Sequence, residues 1–143
     1  MKRAIRVFLS HHHSDARFAV RLSLKLRAYG LTVWYAPHAI KGAQEWEREI
    51  GAALRRSNWF LIVLSPKAIR SEWVYRELLY ALNTRRYNRR ITPVIYRPCN
   101  PLKLSFAFAG IQRVSFTRGA AAGFRDLLAV WELEFRAGRT RRR

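Results

Sequence analysis

The chain is 143 residues long, half of them hydrophobic, with a formal net charge of +19. That length and apolar share suit one domain with a single core and exclude a chain that is disordered over most of its length. No apolar run approaches the roughly 20 residues that span a bilayer, and the lone cysteine, Cys99, excludes an intramolecular disulfide, which fits a reducing, cytoplasmic setting.

The elements follow in a regular order. Ile5-Arg6-Val7-Phe8-Leu9 reads as a first strand; its apolar run is too short for a signal peptide and leads into His11-His12-His13. Asp15 to Tyr29 reads as a helix, with Ala19, Leu22, Leu26 and Tyr29 on one face, Ser14-Asp15 as its N-cap pair and Gly30 closing it. Leu31 to Tyr35 is a second strand, rich in β-branched and aromatic residues. Pro and Gly mark 36–42 as a loop. A second helix is expected over Glu45 to Arg56, with Trp46, Ile50, Ala53 and Leu54 inward. Trp59 to Leu64 is a continuous apolar strand, as expected where both faces of a parallel sheet are covered. Ser65-Pro66 suits an N-cap and a first helical turn. A main helix runs from about Ser71 to Leu82. Ile91 to Tyr96 is a fourth strand, short or near an edge because of Pro93. Residues 97–110 are irregular, Ile111 to Phe116 is a fifth strand, and Ala120 to Phe135 a last helix.

Five strand–helix alternations predict an α/β fold with right-handed crossovers. Units of this size fit a flavodoxin-like three-layer sandwich with a five-stranded parallel sheet of order 2-1-3-4-5. In that order the chain reverses between strands 1 and 3, and the loops after them, 10–14 and 65–71, border a ligand crevice. The second loop leads into the helix that carries Glu77. Helical phase puts Glu77 between Trp73 and the apolar arc of Val74, Leu78, Ala81 and Leu82, not on the outer face with Arg76. A carboxylate there needs a partner or a task. An ion pair with one of the many arginines and a functional role are both open at this point.

Other motifs are quieter. No GxGxxG follows the first strand and no GxxxxGK[ST] occurs, so neither a dinucleotide fingerprint nor a P-loop is supported. Adjacent histidines at a strand end point alternately and no Cys or carboxylate cluster joins them, so no metal site is expected. Trp46 and Trp73 each begin a helix at the sheet's carboxyl edge; each reads as core or as a stacking surface. The basic residues are scattered, as on a solvated surface, with two local clusters: Arg85-Arg86…Arg89-Arg90 and the basic tail at 137–143. Such charge draws anionic partners, but no nucleic-acid-binding motif accompanies it, and neither nucleic acid nor membrane is expected as a partner.

The ordered set Val7-Phe8-Leu9-Ser10-His11…Asp15, Gly30-Leu31-Thr32-Val33-Trp34-Tyr35, Gly42…Trp46…Ile50, Phe60-Leu61-Ile62-Val63-Leu64-Ser65-Pro66 and Ser71-Glu72-Trp73…Glu77-Leu78 resembles the Toll/interleukin-receptor (TIR) domain family, most closely its bacterial branch. The resemblance is close over residues 4–83 and looser beyond, and implies a TIR domain at 1–136. It implies a flavodoxin-like fold and one of two functions. Catalytic members are NAD+ nucleosidases, which cleave the nicotinamide–ribose bond and give ADP-ribose or a cyclic variant, in bacteria often for antiphage defence signalling. Other members are non-catalytic scaffolds acting through homotypic contacts. For the catalytic class the resemblance implies Glu77 as the essential glutamate of W-x-x-x-E, with Ser10, His11, Trp46 and Trp73 binding substrate. NAD+ is then a substrate and no separate cofactor is needed. Self-association, here assigned to the Pro37–Gly42 loop, and a downstream effector that senses the product are the further partners implied. Ala36 stands where many members carry an acidic residue.

Overall fold

The computed structural model of the chain describes residues 4–35 and 43–135, with the side chains of 43–46 outside the description. Strands β1 (Arg6–Ser10), β2 (Thr32–Tyr35) and β3 (Trp59–Leu64) are followed by helices α1 (Ala16–Ala28), α2 (Ala43–Arg56) and α3 (Glu72–Leu82); β4 (Ile91–Ile95) leads through 3₁₀ turns to β5 (Val114–Ser115), and helix α4 (Ala120–Val130) closes the order. Every strand pair is parallel and the order is β2-β1-β3-β4-β5, the order predicted from the alternation.

Side-chain alternation along the central strands builds two cores. Val7, Leu9, Leu61 and Val63 face α1 and α4, where Leu22, Leu26, Phe124 and Leu127 meet them. Phe8, Phe60, Ile62 and Leu64 face α2 and α3, against Ile50, Leu54, Val74 and Leu78. Both faces of β1 and β3 are therefore apolar, which explains the unbroken hydrophobic run of Trp59–Leu64.

Several elements differ from expectation for local reasons. The fifth strand is two residues long, not six. The Phe60 N–H donates to the Arg90 carbonyl (2.8 Å) and the Tyr96 N–H to the Leu64 carbonyl (2.9 Å), so even-numbered residues of β4 bond to β3. Odd-numbered ones face β5, where the Ile95 carbonyl accepts from the Phe116 N–H (2.8 Å). Pro93 lacks its N–H on that side, and β5 pairs only with Val94 and Ile95. Pro93 thus lies one strand in from the edge, at a position with nothing to donate to. The segment 97–110 holds two 3₁₀ turns, Pro101–Lys103 and Phe106–Gly110, capped by Asn100 and Ser105. The last helix ends at Val130, and Glu132 follows in the left-handed region at φ 60°.

The Ser65-Pro66 pair does not start a helix. The Ser65 hydroxyl accepts the Ala68 N–H (3.1 Å) at the head of a 3₁₀ turn, Ala68–Arg70. The cap of α3 is Ser71, whose Oγ accepts from the Val74 N–H (3.2 Å). At the far end of α2, Arg86 donates from Nε to the Ser57 carbonyl (2.8 Å) and from Nη2 to the Leu54 carbonyl (2.6 Å). The Tyr87 hydroxyl also donates to the Leu54 carbonyl (2.5 Å). These donors satisfy carbonyls that the helix end leaves open.

Candidate active site

Ser71 sets the phase of α3, and that phase turns Val74, Leu78 and Ala81 onto the sheet. Glu77 comes inward with them and is 5% exposed. Ser10, the last residue of β1, lies two positions after Phe8 and so points to the same face, toward α3. Its hydroxyl donates to Glu77 Oε1 at 2.5 Å. Trp73, one helical turn before Glu77, is half-buried against the same core. The ion pair that the sequence left open is not formed among the described residues; the arginine–carboxylate contact of α3 is Arg76–Glu72 (3.6 Å), on the outer face.

Burial dominates the electrostatics. It pushes the Glu77 carboxyl from its ordinary 4.5 up to about 7, while hydrogen bonding from Ser10 and then Trp73 favours the charged form and limits the rise. Glu77 is therefore poised between its two charge states near neutral pH, where it can either hold a proton or answer a nearby cation.

A second carboxylate braces the loops. Asp15 stands at the N-cap position of α1 but makes no side-chain cap bond. Its Oδ2 instead accepts the Ser65 hydroxyl at 2.6 Å, in a buried contact. Ser65 Oγ holds the Ala68 N–H at the same time. The loop after β1 and the loop after β3 are thus tied together across the point where the sheet order reverses. From sequence Ser14-Asp15 reads as a simple cap pair; the partner that Asp15 takes instead, Ser65, lies fifty residues on. The histidines divide their work. His12 Nδ1 accepts the Ser14 N–H (3.1 Å) and caps the 3₁₀ turn His13–Asp15. Burial, with His13 next, lowers its pKa. His11 lies beside Tyr35, their ring centroids 6.2 Å apart, with its Nδ1 buried.

Of the five residues singled out from sequence, Ser10, Glu77 and Trp73 are brought together, and His11 follows Ser10 at the rim. Trp46 is in the first turns of α2, and its side chain lies outside the described residues, as does the Pro37–Gly42 loop.

The sequence matches the TIR domain family over residues 7–128. It is 37% identical over 73 residues to the NAD(+) hydrolase TcpA of Theionarchaea archaeon, covering 50% of this chain and 22% of that protein. It is 29% identical over 90 residues to the NAD(+) hydrolase TcpC of Escherichia coli O6:H1, covering 61% and 29%. To the 2' cyclic ADP-D-ribose synthase BtTIR of Bacteroides thetaiotaomicron it is 31% identical over 72 residues, covering 50% and 25%. The chain spans about a quarter of the length of these relatives. In fold it is similar to the TIR domain of the Toll-related receptor TRR-2 from Hydra magnipapillata, with a TM-score of 0.64 at 19% identity over 77% of this chain and 82% of that one. It is also similar to the TIR domains of the activated Roq1 resistosome, with a TM-score of 0.56 at 21% identity over 90% and 79%.

Proposed function

The chain belongs to the TIR domain family, and from that premise we propose that it cleaves NAD+ at the nicotinamide–ribose bond, with Glu77 as the catalytic carboxylate. The observation that carries the reading is a glutamate buried at the sheet's switch point, held by a serine hydroxyl and, among the described residues, not by an arginine. A structural ion pair would have used the abundant arginines; a carboxyl poised near pH 7 is suited to a substrate that brings its own positive charge. The names of the three relatives, two hydrolases of NAD+ and one cyclic ADP-ribose synthase, support the substrate class.

The chemistry follows from charge. NAD+ carries a cationic nicotinamide ring. When the C1′–N bond breaks, its electron pair leaves with neutral nicotinamide and positive charge passes to the ribose. The Glu77 carboxylate stabilises that developing oxocarbenium-like centre in a site of low dielectric. Arrival of the cationic ring favours the ionised glutamate, and the Ser10 hydroxyl already orients one of its oxygens. Water then attacks C1′ and releases a proton, giving ADP-ribose; attack by a nucleophile within the same molecule gives a cyclic variant instead. Ser10, His11, Trp46 and Trp73 are assigned to contact the substrate, Trp73 by presenting its indole beside Glu77. The antiphage setting and activity through self-association belong to the same proposal and rest on the family resemblance.

The test is NAD+ consumption by the purified protein, with products identified by mass spectrometry. Glu77→Gln keeps shape and removes charge, and turnover is expected to fall by about 10²–10⁴-fold. An active parent whose variant retains activity within a few-fold removes Glu77 from the mechanism. A parent inert at every concentration, with or without molecular crowding, favours the interaction-module reading.

A further inference from the structure

We propose that a second ligand site lies at the opposite edge of the sheet from Glu77: a groove lined by Arg85, Arg89 and Arg113 that takes a small molecule carrying a run of phosphates. The groove is open to solvent on one side and has a volume of about 1400 Å³. Its origin is the shortness of β5. Because pairing with β5 starts only at Val94, Ile91 and Thr92, which pair with β3 on one side, have no strand on the other, and the space is walled by the end of α3 and the last turn of α4. Trp59, which opens β3, forms part of the lining, whereas Ser65, just past the carboxyl end of β3, belongs to the Glu77 side. A strand of that length separates the two edges by roughly 17–20 Å.

The charges in the groove are free to act. Arg85, Arg89 and Arg113 are exposed, and none forms an ion pair among the described residues. Their neighbour Arg86 differs: its guanidinium is committed to the Leu54 and Ser57 carbonyls. The segment that presents Arg85 and Arg89 is anchored between them by Tyr87, which is fully buried and bonded to the Leu54 carbonyl. Arg89 itself is held at φ 62°, a left-handed conformation that non-glycine residues adopt rarely. Arg85 and Arg89 thus stand on one anchored turn and Arg113 is a third lining residue, and planar guanidinium forks match phosphate oxygens in pairs. Asn88 adds a neutral hydrogen-bonding group, whereas the Asn83 amide N–H already donates to the Leu79 carbonyl and the Ser115 hydroxyl is engaged with Thr117. The Trp59 indole N–H is already used on Thr92 Oγ1 (3.0 Å), which leaves its ring as apolar lining for an attached organic group. Asp126 lines the same groove and opposes a long phosphate backbone. Three cations in one pocket, bounded by an acid, suit two or three linked phosphates better than a nucleic-acid strand, which needs a basic stripe.

Isothermal titration of the whole chain with inorganic tripolyphosphate at about 0.15 M salt tests this, because bulk attraction is screened there beyond about 8 Å. One equivalent is expected to bind. The triple variant R85Q/R89Q/R113Q should weaken binding at least about tenfold, as three charge-assisted contacts are removed. R17Q/R21Q/R48Q, which removes the same charge from exposed positions on α1 and α2, should weaken it by less than about threefold. Asp126→Asn should tighten it by about two- to threefold by removing a repulsive charge. Titration with ATP distinguishes the source. Tighter binding than tripolyphosphate identifies a nucleotide, and equal or weaker binding identifies a free oligophosphate; both support the site. Equal losses in the two triple variants, or many equivalents bound, would reduce the effect to bulk charge and overturn the proposal. A single-stranded DNA 12-mer that binds through the three arginines while tripolyphosphate does not would also overturn it, in favour of a nucleic-acid surface.

Discussion

A buried carboxyl whose pKa is lifted from 4.5 to about 7 makes folding easier in acid than in base. Between those two values the unfolded chain releases the Glu77 proton while the folded chain keeps it, so stability falls as pH rises from about 4.5 to about 7 and is level above. The loss is on the order of 3 kcal/mol. Glu77→Gln, which has no proton to lose, should therefore melt several degrees above the parent at pH 8 and level with it at pH 4.5, in calorimetric scans at the two pH values. A variant that melts lower at both would mean that the ionised carboxylate is a structural partner. Ser10 tunes the same group. Its hydroxyl lowers the glutamate's pKa, so Ser10→Ala should move the acid limb of kcat/KM for NAD+ to higher pH, by roughly half a unit to one unit for one lost hydrogen bond to a charge. A limb that stays in place while KM rises would assign Ser10 to substrate contact alone.

Among the elements, the bridge between Asp15 and Ser65 joins two loops that the sheet order would let splay apart. Ser65→Ala leaves a buried carboxylate without its donor and removes the acceptor for the Ala68 N–H, so it should cost about 2–4 kcal/mol, more than Asp15→Ala. The double variant should cost clearly less than the two single variants added. Urea titrations of all four proteins measure that coupling, and strict additivity would show that the bridge is not formed in solution. Much at this scale is legible from sequence. The 3.6-residue period of 71–82 placed Glu77 inward, and strand alternation gave the sheet order. What the sequence does not show is non-local. Asp15 looks like a cap because a cap is the nearest use for it, and its partner lies fifty residues on. The stretch 111–116 has a strand's composition, yet pairing depends on an N–H that Pro93, in another element, does not have. The family resemblance implies a substrate contact at Ser10, and its bond to Glu77 follows only once α3 is docked on the sheet.

At the scale of the whole molecule, the charge of +19 is not all surface decoration. Arg6 donates to the Arg56 carbonyl (2.6 Å), Arg27 to the Val33 carbonyl (2.7 Å), and Arg86 to two carbonyls at the end of α2. Arg86→Lys keeps the charge but loses the fork that reaches both carbonyls, and should cost about 1–2 kcal/mol. Arg17→Lys, on the exposed face of α1, should change stability by less than about 0.5 kcal/mol. Thermal melts of the two variants, each with unchanged net charge, separate the roles; equal melting points would make Arg86 an ordinary surface residue. The double clasp of Arg86 also limits redesign. A variant made less adhesive for crystallisation or concentrated storage can trade exposed arginines for glutamine or lysine over most of its surface. At position 86 the same trade would unpick the end of a helix, so the side chain has to be treated as part of the frame.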